Sequence, residues 1–146
     1  PQPLEELEVL NRIDSGSMDK PIDVEPITLE ELTFLQQMTR RIFLHDTLKA
    51  YIVDLINTTR GMGPNPLPGF SQHVRVGASP RGGIALMRVS QAVALMQGRN
   101  YVMPEDIKKL RHPILRHRII RTFDAMADDI SVDGLIDAVF SAVAVP

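Results

Sequence analysis

Ser79, Pro80 and Arg81 stand in the run VRVGASPRGG, residues 74 to 83, and this order of residue types could do chemistry. Serine suits the position before a helix and proline its first residue, so Arg81 falls at the second position of a first turn. A helix starts with unpaired N–H groups and the positive end of its dipole, and a cation there is unfavourable unless an anion shares the place. The N–H groups, the arginine fork and two glycines, Gly82 and Gly83, that let another surface come close would together suit a phosphate. The residues leave a second reading open, in which Arg81 lies in solvent or pairs with a carboxylate and the glycines only loosen the turn.

Elsewhere the reactive inventory is narrow. The chain has no cysteine, which excludes disulfides, thiolate metal sites and cysteine nucleophiles. Its four histidines, His45, His73, His112 and His117, have no spacing that suggests a metal site, and none is expected. The formal net charge is −2, so no global field favours nucleic acid or an acidic membrane. Charge is uneven all the same: Arg111, His112, Arg116, His117, Arg118 and Arg121 precede Asp124, Asp128, Asp129, Asp133 and Asp137. These read as two solvated faces of opposite sign. The basic run RHPILRHRIIR also supports an alternative, a stand-alone helical module that binds protein or nucleic acid, against which the lack of interleaved aromatics counts.

Helices must position these groups, because apolar residues recur at helical spacing and β-type alternation is nearly absent. At 146 residues, 44% hydrophobic and 23% charged, the chain suits one globular domain. LEELEVLNRI places Leu4, Leu7, Leu10 and Ile13 on one side; Thr28 and Glu31 form a capping box ahead of Leu32, Leu35, Met38 and Ile42. A third helix aligns Leu48, Tyr51, Ile52, Leu55, Ile56 and Thr59 and stops at Gly61, and the three segments read as stacked members of a bundle. The Gly- and Pro-rich residues 61–76 read as a loop in which only HVRV could be extended. A long helix follows from Ser79 to about Gln97, with Leu86, Val89, Val93 and Met96 facing a core and Gly98 ending it. Pro104 starts another with Glu105 and Asp106 in its first turn, Pro113 breaks or kinks it, and SVDGLIDAVFSAV closes the chain with Ser131 as cap and Leu135, Ile136, Val139, Phe140 and Val143 buried. The expectation is all-α, a small bundle of about five to six helices. No apolar run approaches the ~20 residues that span a bilayer, and PQPLEELEVLNRI lacks the pattern of a signal peptide, so a cytoplasmic domain with no membrane partner is expected.

The stretch GASPRGGIALMRVSQAVALMQGRNYVMPEDIKKLRHPILRHRI resembles, almost motif by motif, the C-terminal lid domain of MoxR-type AAA+ ATPases. The likeness extends upstream through YIVDLINTTR and EELEVLNRI, and so covers most of the chain. It implies that residues 1–146 are a single lid domain, with an ATP-binding core and its Walker motifs upstream. Arg81 would be the sensor-2 arginine reaching the γ-phosphate, with Ser79 and Pro80 beside it on the nucleotide side. ATP and Mg2+ would be cofactors of the full-length protein, which would work as a hexameric homo-oligomeric ring with chaperone-like roles and partners carrying von Willebrand factor A domains. No nucleic acid is implied. A lid of the related magnesium-chelatase type would change the client and leave Arg81 in its role. Arg99, Tyr101 and Val102 match a turn of the family, and His117 and Arg118 its His-Arg pair; both read as structural.

The chain departs from the family pattern at Asn100, where Asp is usual, and at Met103, where a capping Thr or Ser is usual, a loss of about 1 kcal/mol of capping. The loop from Gly61 to Val76 is longer than the family norm and reads as a contact for a neighbouring subunit or a tolerated surface loop. No G-x-x-x-x-G-K-[ST] run occurs, so the chain by itself has no cradle for β- and γ-phosphates and is not expected to bind cofactor or hydrolyse ATP.

Overall fold

The computed structural model describes residues 3–16, 24–64 and 67–146. Two compact units divide the chain, Pro1–Leu32 and Thr33–Pro146. Asn65 and Pro66, inside the predicted loop, lie outside the described residues.

In the first unit, α1 (Pro3–Asp14) follows from a proline at its first position and glutamates in its first turn, where the dipole favours them. Glu8 and Arg12 pair one turn apart. Leu4, Leu7, Leu10 and Ile13 are each more than half exposed. The capping box forms as expected: Thr28 N–H donates to Glu31 Oε2 at 2.7 Å, and Glu31 N–H to Thr28 Oγ1 at 3.1 Å. It starts α2 (Leu29–Arg41), which continues into the second unit. Neither α1 nor α2 buries a residue; α3 enters the core of the second unit, with Ile42 just past the end of α2. An amphipathic stripe shows that a face can be covered, not which surface covers it.

The second unit is built on α3 (Asp46–Thr58) and α5 (Pro80–Met96), which pack together. Between them lie α4 (Phe70–His73) and β1 (Val74–Val76), the extended piece expected within HVRV. After α5 come α6 (Pro104–Lys109), α7 (Arg111–Leu115), a 3-10 turn at Arg116–Arg118, β2 (Ile120–Arg121), α8 (Phe123–Ala127) and α9 (Val132–Ala142). Among the described residues the domain is thus all-helical apart from one antiparallel pair, β1 with β2, in the register Val74 to Arg121 and Val76 to Ile120 with an irregularity between, and an isolated parallel bridge between Phe43 and Tyr101. Among the described residues the six longest helices are those expected, and α4, α7 and α8 add three of one turn or little more.

Leu55, Leu86, Ile107, Leu115, Ile136 and Val139 are fully buried where α3, α5, α6, α7 and α9 meet. Each such side chain contributes about 1.5–3 kcal/mol of apolar transfer. The stripe of α3 is buried in full, and so are the five predicted residues at α9. On α5 the buried line is Gly82, Leu86, Ser90 and Ala94, with Gln91 beside it, whereas Val89 is exposed and Met96 is 86% exposed. Small residues four apart let a neighbour come close, and a search for large apolar side chains misses such a face.

The expected break at Pro113 falls instead at Leu110, between α6 and α7. Pro113 is in the first turn of α7, where its missing N–H costs nothing. Gly98, with φ +71°, ends α5 as expected.

Candidate functional site

Ser79 holds the position before α5, with φ −76° and ψ 168°, and Pro80 is the first helical residue. Its hydroxyl, however, makes no capping bond. Pro80 brings no N–H, and the Gly82 N–H donates to the Ser79 carbonyl at 2.8 Å. That leaves the N–H of Arg81 without an acceptor among the described residues. Backbone donors are therefore fewer here than a free helix end offers, and the guanidinium is the main anion-binding group. Arg81 is exposed and makes no hydrogen bond or ion pair among the described residues. The carboxylate partner that was one alternative is absent there.

The segment leading into this helix is held from α3. Thr59 Oγ1 accepts the Ala78 N–H at 2.9 Å and donates to the Ile56 carbonyl at 2.6 Å; Arg60 Nε donates to the Ala78 carbonyl at 2.7 Å. A side chain at Gly77 would stand 2.2 Å from the Thr59 carbonyl oxygen, so only glycine fits against that backbone. Sequence reading took Thr59 as packing and gave Arg60 no role. The available signal was a hydroxyl at the end of an otherwise apolar stripe, next to an arginine.

Gly82 and Gly83 serve the packing of α5 rather than a looser turn. A Cβ at Gly82 would stand 3.2 Å from Ile56 Cδ1 and 3.5 Å from Arg118 Cδ; one at Gly83 would meet Ile52 and Ile56 at 3.4 Å. The surface these glycines admit is thus α3 and the stem of Arg118, whose Nε donates to the Ile114 carbonyl at 3.0 Å. Arg118 is placed at the start of α5 by this contact. Beside Pro80, an open groove of about 320 Å³ runs between α3 and α5, lined by Ile52, Val53, Ile56, Gly83, Ile84 and Met87 with Lys49, Asn57 and Arg60 also contributing.

Arg99, Arg111, Arg116 and Arg121 are engaged within the fold, whereas Arg40, Arg41, Arg75 and Arg88 are exposed, as Arg81 is. Arg99 grips Asp106 with both terminal nitrogens, at 2.9 and 2.7 Å, and also donates to the Tyr101 carbonyl and lies over its ring. Burial pushes the Asp106 carboxyl up, but the Arg99 fork and the Met103 N–H, 2.8 Å away, outweigh it and hold it below its ordinary value. Asp106 thus supplies half of the capping exchange that Met103 cannot make with its own side chain. The basic and acidic runs are not two separate faces. Arg116 meets Asp133 with two bonds of 2.8 and 2.7 Å, and Arg111 and His112 converge on Asp137 at 2.6 and 3.0 Å. Among the described residues no three of His, Asp and Glu come together to hold a metal ion, and no helix is long and apolar enough to cross a membrane.

Residues 70–139 match the family described as AAA lid domain, a range that holds Arg81 and Arg118. The chain is 32% identical over 146 residues to a protein of Mycobacterium tuberculosis named Chaperone MoxR1, covering 100% of this chain and 38% of that one. It is 37% identical to the Bacillus subtilis protein YeaC, over 97% of this chain and 41% of that relative. A crystal structure of a putative ATPase from Cytophaga hutchinsonii superposes with a TM-score of 0.83 at 30% identity, covering 99% of this chain and 44% of its own. The chain therefore spans well under half the length of each. Its helical fold, the Gly77–Arg118 motifs and these likenesses agree, and the chain belongs to the MoxR-type AAA+ ATPases as a C-terminal lid domain.

Proposed function

We propose that this lid closes over ATP held by a core domain upstream in the full-length ATPase, and that Arg81 reaches the γ-phosphate there. One observation carries this reading: Arg81 is an exposed guanidinium with no partner among the described residues, at a helix start whose entry is fixed by hydrogen bonds from α3. A phosphate calls for such a cation, permanently charged and with planar donors that match phosphoryl oxygens. Ser79 and Pro80 border the same site. Magnesium falls to the core in this reading, since the lid's described residues hold no cluster suited to it. The apolar groove beside Pro80 continues the same face and offers a surface for the core to rest on.

When bound, ATP supplies the phosphoryl group that is transferred to water. The lid's own residues orient and neutralise: Arg81 stabilises charge that grows on the phosphoryl oxygens, and the closing face helps exclude water. Loss of the γ-phosphate removes the anion that holds Arg81, so the lid is released to move as a rigid body against the core. A homo-oligomeric ring, hexameric as in the family resemblance, would convert this movement into work on client proteins. The M. tuberculosis relative is named a chaperone, which supports a remodelling role; partners with von Willebrand factor A domains fit the same reading.

The test is steady-state ATP hydrolysis and nucleotide binding by the full-length protein with Arg81→Ala. Turnover is expected to fall by about 10²-fold or more, the loss typical of one preorganised charge-stabilising donor, with ADP affinity little changed. Turnover at the wild-type rate would overturn the assignment.

A further inference from the structure

We propose that Thr59 and Arg60 are positioning residues for Arg81: together they clamp Ala78 and so fix where the guanidinium stands when the lid closes. The inference rests on the reading of Arg81 given above and extends it to α3.

Two consecutive side chains take both backbone groups of one residue. Thr59 Oγ1 has a single proton, and donating it to the Ile56 carbonyl leaves its lone pairs for the Ala78 N–H, so the hydroxyl has one orientation. Arg60 Nε takes the Ala78 carbonyl from 18 residues away. Ala78 is completely buried, and Gly77 lies backbone to backbone on Thr59, with no room for a Cβ. Ser79 adds no side-chain cap of its own. The helix that carries Arg81 is therefore set in place by α3, where a serine cap would ordinarily do it locally. Ala78 stands three residues ahead of Arg81, less than one helical turn, so a shift of this segment moves the guanidinium with it.

Arg60 has no other hydrogen-bond partner among the described residues, and its Nη2 is buried without one. Its guanidinium is thus committed to this carbonyl. Misplacement of a reacting group by about 1 Å can cost as much as 10²-fold in rate, which is the scale on which such a clamp acts.

The experiment is a double-mutant cycle on turnover in the full-length ATPase. Thr59→Val keeps the volume and removes the hydroxyl; Thr59→Ser keeps the hydroxyl; Arg60→Met keeps the stem and removes the donor. Thr59→Val and Arg60→Met are expected to lower kcat by about tenfold with KM for ATP little moved, and Thr59→Ser to restore it. In an Arg81→Ala background the same two substitutions are expected to cost nothing further, since they act through that arginine. An equal loss in both backgrounds would reduce the clamp to general stability and overturn the proposal, as would full kcat in a folded Thr59→Val or Arg60→Met protein. If Thr59→Val does not fold, Arg60→Met decides by the same comparison. Wild-type turnover in Arg81→Ala alone would sink the reading of the site, and the clamp with it, whereas its loss beside an additive Thr59→Val effect sinks only the clamp.

Discussion

Both terminal nitrogens of Arg99 bond the carboxylate of Asp106, whose side chain is 2% exposed, while Asp106 Oδ2 also accepts the Met103 N–H. One pair thereby ties the turn after α5 to the start of α6. Asp106 titrates lower folded than unfolded, so the native state binds fewer protons there. Its contribution is whole above the ordinary carboxylate range and is lost as pH falls through that range towards the depressed native value. Thermal unfolding followed by circular dichroism should show an acid loss of stability, beginning below about pH 5, that Asp106→Asn flattens. Asp106→Ala is expected to destabilise the protein at neutral pH, because it removes the acceptor of both Arg99 nitrogens and of the Met103 N–H. A variant as stable as the parent would refute this.

Gly77→Ala should be among the costlier single-methyl changes in the chain. The added Cβ meets the Thr59 carbonyl oxygen at 2.2 Å, and this neighbour is backbone that cannot swing aside. A loss of about 2 kcal/mol or more is expected from forced separation of the segment from α3. Gly98→Ala is the control: its φ of +71° strains an alanine, but open space surrounds it, so about 1 kcal/mol is expected. Chemical denaturation of the two variants gives the comparison, and equal losses would remove the steric argument.

Tyr51→Phe is expected to leave the protein as stable or to raise its stability by about 1 kcal/mol. The Tyr51 ring is buried edge-on against Phe140, and its hydroxyl has no hydrogen-bond partner among the described residues. Burial without a partner holds its phenol above the ordinary value. Removing the oxygen relieves a desolvated polar group and keeps the packing. A destabilisation of 1 kcal/mol or more on calorimetry, of the size one lost hydrogen bond would give, would mean that the hydroxyl is bonded after all.

What the sequence made legible followed from periodicity and from caps. The α3 and α9 stripes, the Thr28–Glu31 box and the glycine end of α5 each rest on spacing within one segment, and each was found. What stayed hidden depends on a second segment. The face of α5 is marked by small residues because α3, α6 and α7 lie against that helix, and only these neighbours together explain Gly82, Ser90 and Ala94. Thr59 and Arg60 act on Ala78 from 19 and 18 residues away, a pairing that no local pattern encodes. For α1 the stripe is present but buries no residue, and amphipathicity alone fixes a face without naming its partner. At Arg81 the residue types gave the position correctly; the fold adds that the serine does not cap and that the arginine has no partner among the described residues.

Arg116 and Asp133 test the rival use of the basic run. Their two bonds, with the convergence of Arg111 and His112 on Asp137, set positive charge against negative across α7 and α9. The Arg116 fork, more than burial opposes it, holds the Asp133 carboxyl below its ordinary value. With Arg111 and Arg116 neutralised in this way, and Arg118 and Arg121 tethered to the Ile114 and Ile130 carbonyls, the run offers a reduced field to phosphates, whose binding depends on unpaired cations and released counterions. Electrophoretic titration with duplex and single-stranded DNA at low salt is expected to give no shift. Asp133→Asn with Asp137→Asn frees the run and should produce a weak, salt-sensitive one. The exposed pair itself is expected to add little to stability, so Arg116→Ala should barely move the melting temperature. A strong shift with the unmodified chain would show that these arginines reach phosphate despite their partners, and would return the nucleic-acid reading to first place.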